Sequence, residues 1–211
     1  MRIFQTFRTA TCAVALVLLP AQLVGQNLEA ACVALGTGPV GAWARQQVEA
    51  TSGSLDMKFS LVASRGSTWY EITAVTPQGT SIIQLEVPGF PFRPDQIESA
   101  VMKTGATPAV IIPDAILRQY QTTAQASPMA DIESQCRLAE VIGSEIITVA
   151  AGSFETTHLR FPGNGSNVWV SADVPFGIVR GEIDGQGTLE LVSFGSGATG
   201  SIMETPLALP F

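Results

Sequence analysis

Leu55-Asp56-Met57-Lys58-Phe59-Ser60-Leu61 alternates apolar and polar side chains without a break. Successive side chains of a strand point to opposite faces. This period of two therefore puts Leu55, Met57, Phe59 and Leu61 together on one face of a half-buried strand. The pattern returns at Ile83, Leu85 and Val87, alternating with Gln84 and Glu86, until Pro88-Gly89 stops it. Between them, residues 68–75 carry Trp69, Tyr70 and Ile72 and end near Pro77 and Gly79. Gly and Pro punctuate these runs because they supply the dihedrals that turns need.

The last third repeats the theme. Residues 138–149 read as one long strand, turned by Gly152, and Phe154 to Phe161 as the next. Pro162, Gly163, Asn164 and Gly165 form a turn cluster, after which 168–171, 178–183 and 188–194 follow at hairpin spacing. Strands joined by short turns indicate an antiparallel sheet, sandwich or barrel. The middle is less regular. Residues 94–103 fit a short helix or another strand, and Pro108 and Pro113 bracket the apolar run 109–112. Asp114 can cap a helix over 113–121 that carries Ile116, Leu117 and Tyr120. Residues 122–131, small and polar, read as a mobile surface loop.

The N-terminus has the layout of a secretory signal. Arg2 and Arg8 precede an apolar run from Ala10 to Val24, broken by Thr11, Pro20 and Gln22, with the small residue Gly25 beyond. Residues 1–26 are therefore read as a signal peptide cleaved near Gly25; the run is too short and interrupted for a membrane span. The remaining stretch, about 185 residues, fits one domain with a substantial core. Losing Arg2 and Arg8 leaves nine basic against eighteen acidic residues, a formal charge of −9. Nucleic acid, which needs a basic patch, is excluded as a partner. Cys12 departs with the signal, leaving Cys32 and Cys136, and two thiols in an oxidising compartment point to one disulfide. The competing reading, a lipidated Cys32, places Glu29 where such a motif wants Leu or Val.

No catalytic constellation emerges. Gly36, Gly38 and Gly41 match the spacing of a dinucleotide-binding loop, with Asp56 about twenty residues on. Pro39 inside the loop and the lack of following βαβ units argue for a turn. Gly195, Gly197 and Gly200 match it too, but the eleven residues left hold two prolines, so a flexible loop is expected. His158, the single histidine, lies in an alternating run and reads as a strand-surface residue, because no G-x-S-x-G surrounds any serine. One histidine and two paired cysteines make no typical zinc site. Glu71, Glu86, Glu145 and Glu182 read as solvated strand positions rather than a glycosidase pair. Trp43, Trp69, Tyr70, Trp169 and Phe176 read as packing. No cofactor, metal or catalytic residue is assigned.

Several blocks together resemble a family pattern: Val149-Ala-Ala-Gly-Ser-Phe154, Asn167-Val-Trp-Val-Ser171, Val174-Pro-Phe-Gly-Ile-Val-Arg180, and Leu189-Glu-Leu-Val-Ser-Phe-Gly195 with Ala198. Upstream, Trp69-Tyr-Glu-Ile72, Val101-Met-Lys-Thr-Gly105 and Pro108-Ala109 continue it. These cover most of residues 40–200 and resemble exported bacterial proteins similar to the lipoprotein-carrier (LolA-like) superfamily. The resemblance implies an incomplete antiparallel β-barrel, its open side covered by short helices, around an apolar cavity, and it carries over no active-site residue. The expectation is a mainly β protein of about nine or ten strands and two short helices. Its parts are a signal at 1–26, a flexible leader at 27–39, a half-barrel at 40–200 and a tail at 201–211. The expected function is non-enzymatic extracytoplasmic binding, in the periplasm or outside the cell, of a hydrophobic ligand such as a lipid or acyl chain. Leu55, Met57, Phe59, Leu61, Ile83, Leu85 and Val87 would line the cavity and Ile116, Leu117 and Tyr120 would lid it. The alternative is a cell-envelope structural or interaction protein, with an envelope protein as partner and a core filled by its own side chains.

Overall fold

The computed structural model describes residues 21–51, 53–125, 132–163, 165–185 and 187–208. Most of the signal expected at 1–26, residues 1–20, lies outside the described residues, as does the second half of the loop expected at 122–131.

The chain builds two antiparallel meanders and joins them at their first and last strands. The first runs through β1 (Trp43–Ala50), β2 (Gly53–Ser64), β3 (Ser67–Thr76), β4 (Gly79–Glu86), β5 (Ser99–Thr104) and β6 (Val110–Ile111). The second runs through β7 (Glu140–Val149), β8 (Gly152–Phe161), β9 (Ser166–Val170), β10 (Ile178–Ile183) and β11 (Gly187–Gly195). β11 pairs antiparallel with β1, and a two-residue β12 (Leu207–Ala208) pairs parallel with β6. The result is one sheet in the order β12-β6-β5-β4-β3-β2-β1-β11-β10-β9-β8-β7, curled but not closed into a barrel. The mainly β half-barrel is thus present, with ten strands of five residues or more and two of only two residues.

Among the described residues three α-helices accompany the sheet: α1 (Ala21–Leu35), α2 (Asp114–Gln125) and α3 (Ile132–Arg137). α2 is the helix expected at 113–121, running four residues further. α1 differs from the sequence reading. It passes through Gly25, and 27–35, expected to be an irregular leader, is helical. The reason is a helical spacing that small residues disguise. Leu28, Ala31, Cys32 and Leu35 recur at steps of three and four, and they pack with Leu159, Val170 and Ala139. Gly36 ends the helix, its N–H donating to the Cys32 and Val33 carbonyls. Cys32 and Cys136 are disulfide-bonded with Cα atoms 5.6 Å apart, fastening α1 to α3.

β1 was not visible in the sequence. Its inward residues are Ala44, Gln46 and Val48, a weak apolar signal, and its place beside β2 comes from pairing. The segment after β11, expected as a flexible loop and tail, is instead a strap laid across β2–β6. Ile202 is buried among Val62, Trp69, Val101 and Ala109. Ala198 N–H donates to the Gly41 carbonyl and Leu207 N–H to that of Ala109, both at 2.8 Å, and Lys103 pairs with Glu204.

The turn Val174–Gly177 shows why its motif carries glycine. Phe176 and Gly177 both have positive φ, and a Cβ on Gly177 would lie 2.8 Å from the α1 backbone at Ala34 and Leu35. The Phe176 ring occupies the space a side chain at Gly38 would need. The glycine run 36–41 is therefore a packing device leading from a helix into a strand, the reverse of the order a dinucleotide loop requires.

Candidate functional site: the inner face of the half-barrel

Register sets which side chains share the inner face. Leu61, Tyr70, Leu85 and Ala100 form one cross-strand row over β2–β5. Ala44, Phe59, Ile72, Ile83 and Met102 form the next, and Gln46, Met57, Ala74, Ser81 and Thr104 the one beyond. Leu55 follows opposite Val48. No position in these rows carries a charge.

The two halves of this face differ. The Leu61 row is the better covered, with Leu61, Leu85 and Ala100 buried. Tyr70 stands at its centre, with Phe59 at 6.2 Å, Phe90 at 5.5 Å, Phe92 at 5.2 Å and Phe176 at 6.0 Å between ring centroids. Phe90 and Phe92 come from the β4–β5 connection and Phe176 from the β9–β10 connection, so loops from both meanders meet over Tyr70. Such contacts between offset or edge-on rings stabilise beyond their buried area. Burial also pushes the Tyr70 hydroxyl well above its usual ionisation range. Leu85, Val87, Ile97 and Leu117 complete the plug. The other half is only partly covered. Leu55, Met57, Phe59, Ile72, Ala74 and Ile83 are half-buried, and Met102 is 39% exposed. These rows form an uncharged trough on the β2–β5 side, next to the aromatic plug.

The residues expected to line a cavity therefore divide. Leu61, Leu85, Val87 and Leu117 are buried in the core cluster, Phe59 and Ile83 pack against its border, and Leu55 and Met57 lie in the trough. Ile116 and Tyr120 are each 52% exposed. α2 turns Leu117 inward and leaves these two in solvent, held by a bond from Gln121 Nε2 to the Ile97 carbonyl at 2.9 Å. Ile72, Ala74 and Met102, not assigned to the cavity from the sequence, complete the trough; alternation on β3 and β5 was the signal available.

Glu71 also departs from expectation. It is 1% exposed, not solvated. Its carboxylate accepts from Gln84 Nε2 at 2.6 Å and from the Ser201 N–H and Oγ at 2.8 and 2.6 Å. Arg65 donates to Gln84 Oε1 at 2.8 Å and lies 4.1 Å over the Trp69 ring. A buried carboxylate needs such partners, and here they clamp the strap to β3 and β4. Glu145 and His158 are engaged structurally. His158 stacks on Trp169 with centroids 4.3 Å apart. Its Nε2 is 3.0 Å from Asn167 Oδ1 and its Nδ1 3.4 Å from Glu145, which also accepts from Trp169 Nε1 at 2.6 Å. Glu182 pairs with Arg180. Among the described residues no group of three His, Cys, Asp or Glu is placed to hold a metal ion, and no helix is long and apolar enough to cross a membrane.

The fold defines the class, an open antiparallel half-barrel with a plugged, apolar inner face. No protein-family model and no curated protein matches the chain. Among solved structures it is similar to the Pseudomonas aeruginosa MucA/MucB complex, with a TM-score of 0.39 and 11% identity over 84% of this chain and 58% of that one. It is also similar to a DUF1329 family protein from Desulfovibrio piger, with a TM-score of 0.35 and 10% identity over 82% and 92%. At such scores and identities the likeness carries no argument about ligand or partner. The resemblance to lipoprotein carriers rests on the sequence motifs alone.

Proposed function

We propose that this chain is an exported, non-catalytic binding protein that seats a hydrophobic ligand, a lipid or acyl chain, in the trough beside the aromatic plug. The observation that carries the reading is the trough itself, where Leu55, Met57, Phe59, Ile72, Ile83 and Met102 share one uncharged, incompletely covered face. Burying about six methylenes there would contribute about 5 kcal/mol before ordering costs. Met57 and Met102 suit ligands of varied shape, because thioether side chains re-pack easily. The Cys32–Cys136 disulfide supports residence in an oxidising compartment outside the cytoplasm.

A second reading has its own support. The plug of Tyr70, Phe90, Phe92 and Phe176 fills half the inner face with the chain's own side chains, as an envelope interaction protein with a filled core would. Titration with a fluorescent acyl probe separates the two. Binding that saturates in the wild type and is lost in Met57→Glu supports the trough. Equal probe response in both proteins, or none in the wild type, supports the filled core.

A further inference from the structure

The two ends of the sheet are finished differently. At one end β12 is two residues long, and the strap behind it is pinned through Glu204 and Ser201. At the other, β7 is a ten-residue terminal strand, Glu140-Val-Ile-Gly-Ser-Glu-Ile-Ile-Thr-Val149, with no proline and no lysine. Natural sheets blunt their edges because unpaired N–H and C=O groups template further pairing. β7 carries the irregularity between Val141 and Gly143 and the carboxylates Glu140 and Glu145, yet Gly143–Val149 runs as a regular ladder against β8. Ile146 lies in that ladder and is 73% exposed, although α1 packs nearby. Beside β7 a shallow groove of about 260 Å³ is lined by Ala30, Ala34, Ser144, Glu155 and Thr157.

We infer that β7 is a pairing edge and that its occupant is β7 of a second copy of this chain, antiparallel about a two-fold axis at Ile146. The sequence of the strand argues for self-pairing in this register. A two-fold at Ile146 stacks the most exposed apolar side chain of the edge on its own copy and sets Ser144 opposite Thr148, whose hydroxyls are compatible. It sets Glu145 opposite Ile147. A two-fold one residue earlier, at Glu145, would face two carboxylates and is disfavoured. Each copy keeps its own trough, which lies on β2–β5 at the far side of the sheet order, so the pairing does not depend on the ligand reading.

Analytical ultracentrifugation of the exported protein at about 100 µM, a concentration that populates complexes with a Kd of that order, tests the inference. The wild type is expected to show a monomer–dimer equilibrium. Ile146→Lys and Ile146→Glu, each a change at a solvated position, are each expected to be monomeric with unchanged circular dichroism. Ile116→Lys, an equally apolar exposed site on α2, leaves the dimer intact. Because the axis places position 146 against itself, an equimolar mixture of the Lys and Glu variants recovers the dimer. A monomeric wild type overturns the inference. So does a dimer that survives Ile146→Lys, or a mixture of the two variants that stays monomeric.

Discussion

Replacing Glu71 by alanine probes the clamp between strap and sheet. The wild-type carboxylate is 1% exposed and takes three hydrogen bonds, from Gln84 Nε2 and from the Ser201 N–H and Oγ. In Glu71→Ala the Gln84 amide, itself fully buried, loses its acceptor, and an orphaned buried donor costs about 1–3 kcal/mol. Ser201 sits on an exposed residue, so water can satisfy part of what it loses. The net expectation is a loss of about 2–4 kcal/mol, a large share of the roughly 5–15 kcal/mol available to a domain. Urea denaturation supplies the magnitude, and hydrogen exchange supplies the location. Protection of the Ser201 and Ile202 amides should fall while that of the β8–β9 amides holds. Ser201→Ala, which removes one bond and leaves the backbone donor, should cost about 1 kcal/mol. A Glu71→Ala protein within about 0.5 kcal/mol of wild type, or one whose strap amides exchange unchanged, would refute the clamp.

Two further perturbations follow from the same contacts. Reducing Cys32–Cys136 releases a constraint spanning 104 residues of sequence, and the chain-entropy relation gives a loss of about 4–5 kcal/mol; the denaturation midpoint with and without reductant reads it, and equal midpoints would contradict it. At the strap, the hydrogen bond from Lys103 holds the Glu204 carboxyl below its ordinary 4.5. A depressed carboxylate stabilises the fold above its unfolded value and loses that contribution as pH falls through the folded one. Strap-amide protection in the wild type should therefore weaken on acidification below about pH 4.5. In Lys103→Met it should already be weaker at neutral pH and change less on acidification; identical profiles in the two proteins would exclude the link.

What the sequence revealed follows from where its signal is local. Strands such as 178–183 and 188–194 are short runs holding Ile, Val and Leu between Gly177, Gly185, Gly187 and Gly195, and their boundaries fall within a residue or so of β10 and β11. β1 hid because Ala44 and Gln46 occupy inward positions that ordinarily mark a strand with Val or Ile. α1 hid because alanines on its buried face read as irregular small residues, although the steps from Leu28 to Ala31, Cys32 and Leu35 are helical. The burial of Glu71 had no local sign at all, since its partner Ser201 is 130 residues away. For the candidate site, alternation placed Leu55, Met57, Phe59 and Ile83 on the inner face. It could not show that Phe90, Phe92 and Phe176, each on a loop, would converge on Tyr70 and divide that face into plug and trough. Nor could it orient α2, which buries Leu117 and exposes Ile116 and Tyr120.

The trough is tested most directly by native mass spectrometry of the protein purified gently from its own host cells. Met57 is the position to vary, because it lies in the trough without joining the aromatic stack as Phe59 does. A half-buried site can admit a carboxylate that reaches water, whereas burying an unpaired one in the plug would threaten the fold. The expected result is a wild-type mass carrying a lipid or acyl adduct, and a Met57→Glu protein, folded by circular dichroism, that carries none. A wild type of bare polypeptide mass, or a folded Met57→Glu protein that retains the same adduct, would contradict it.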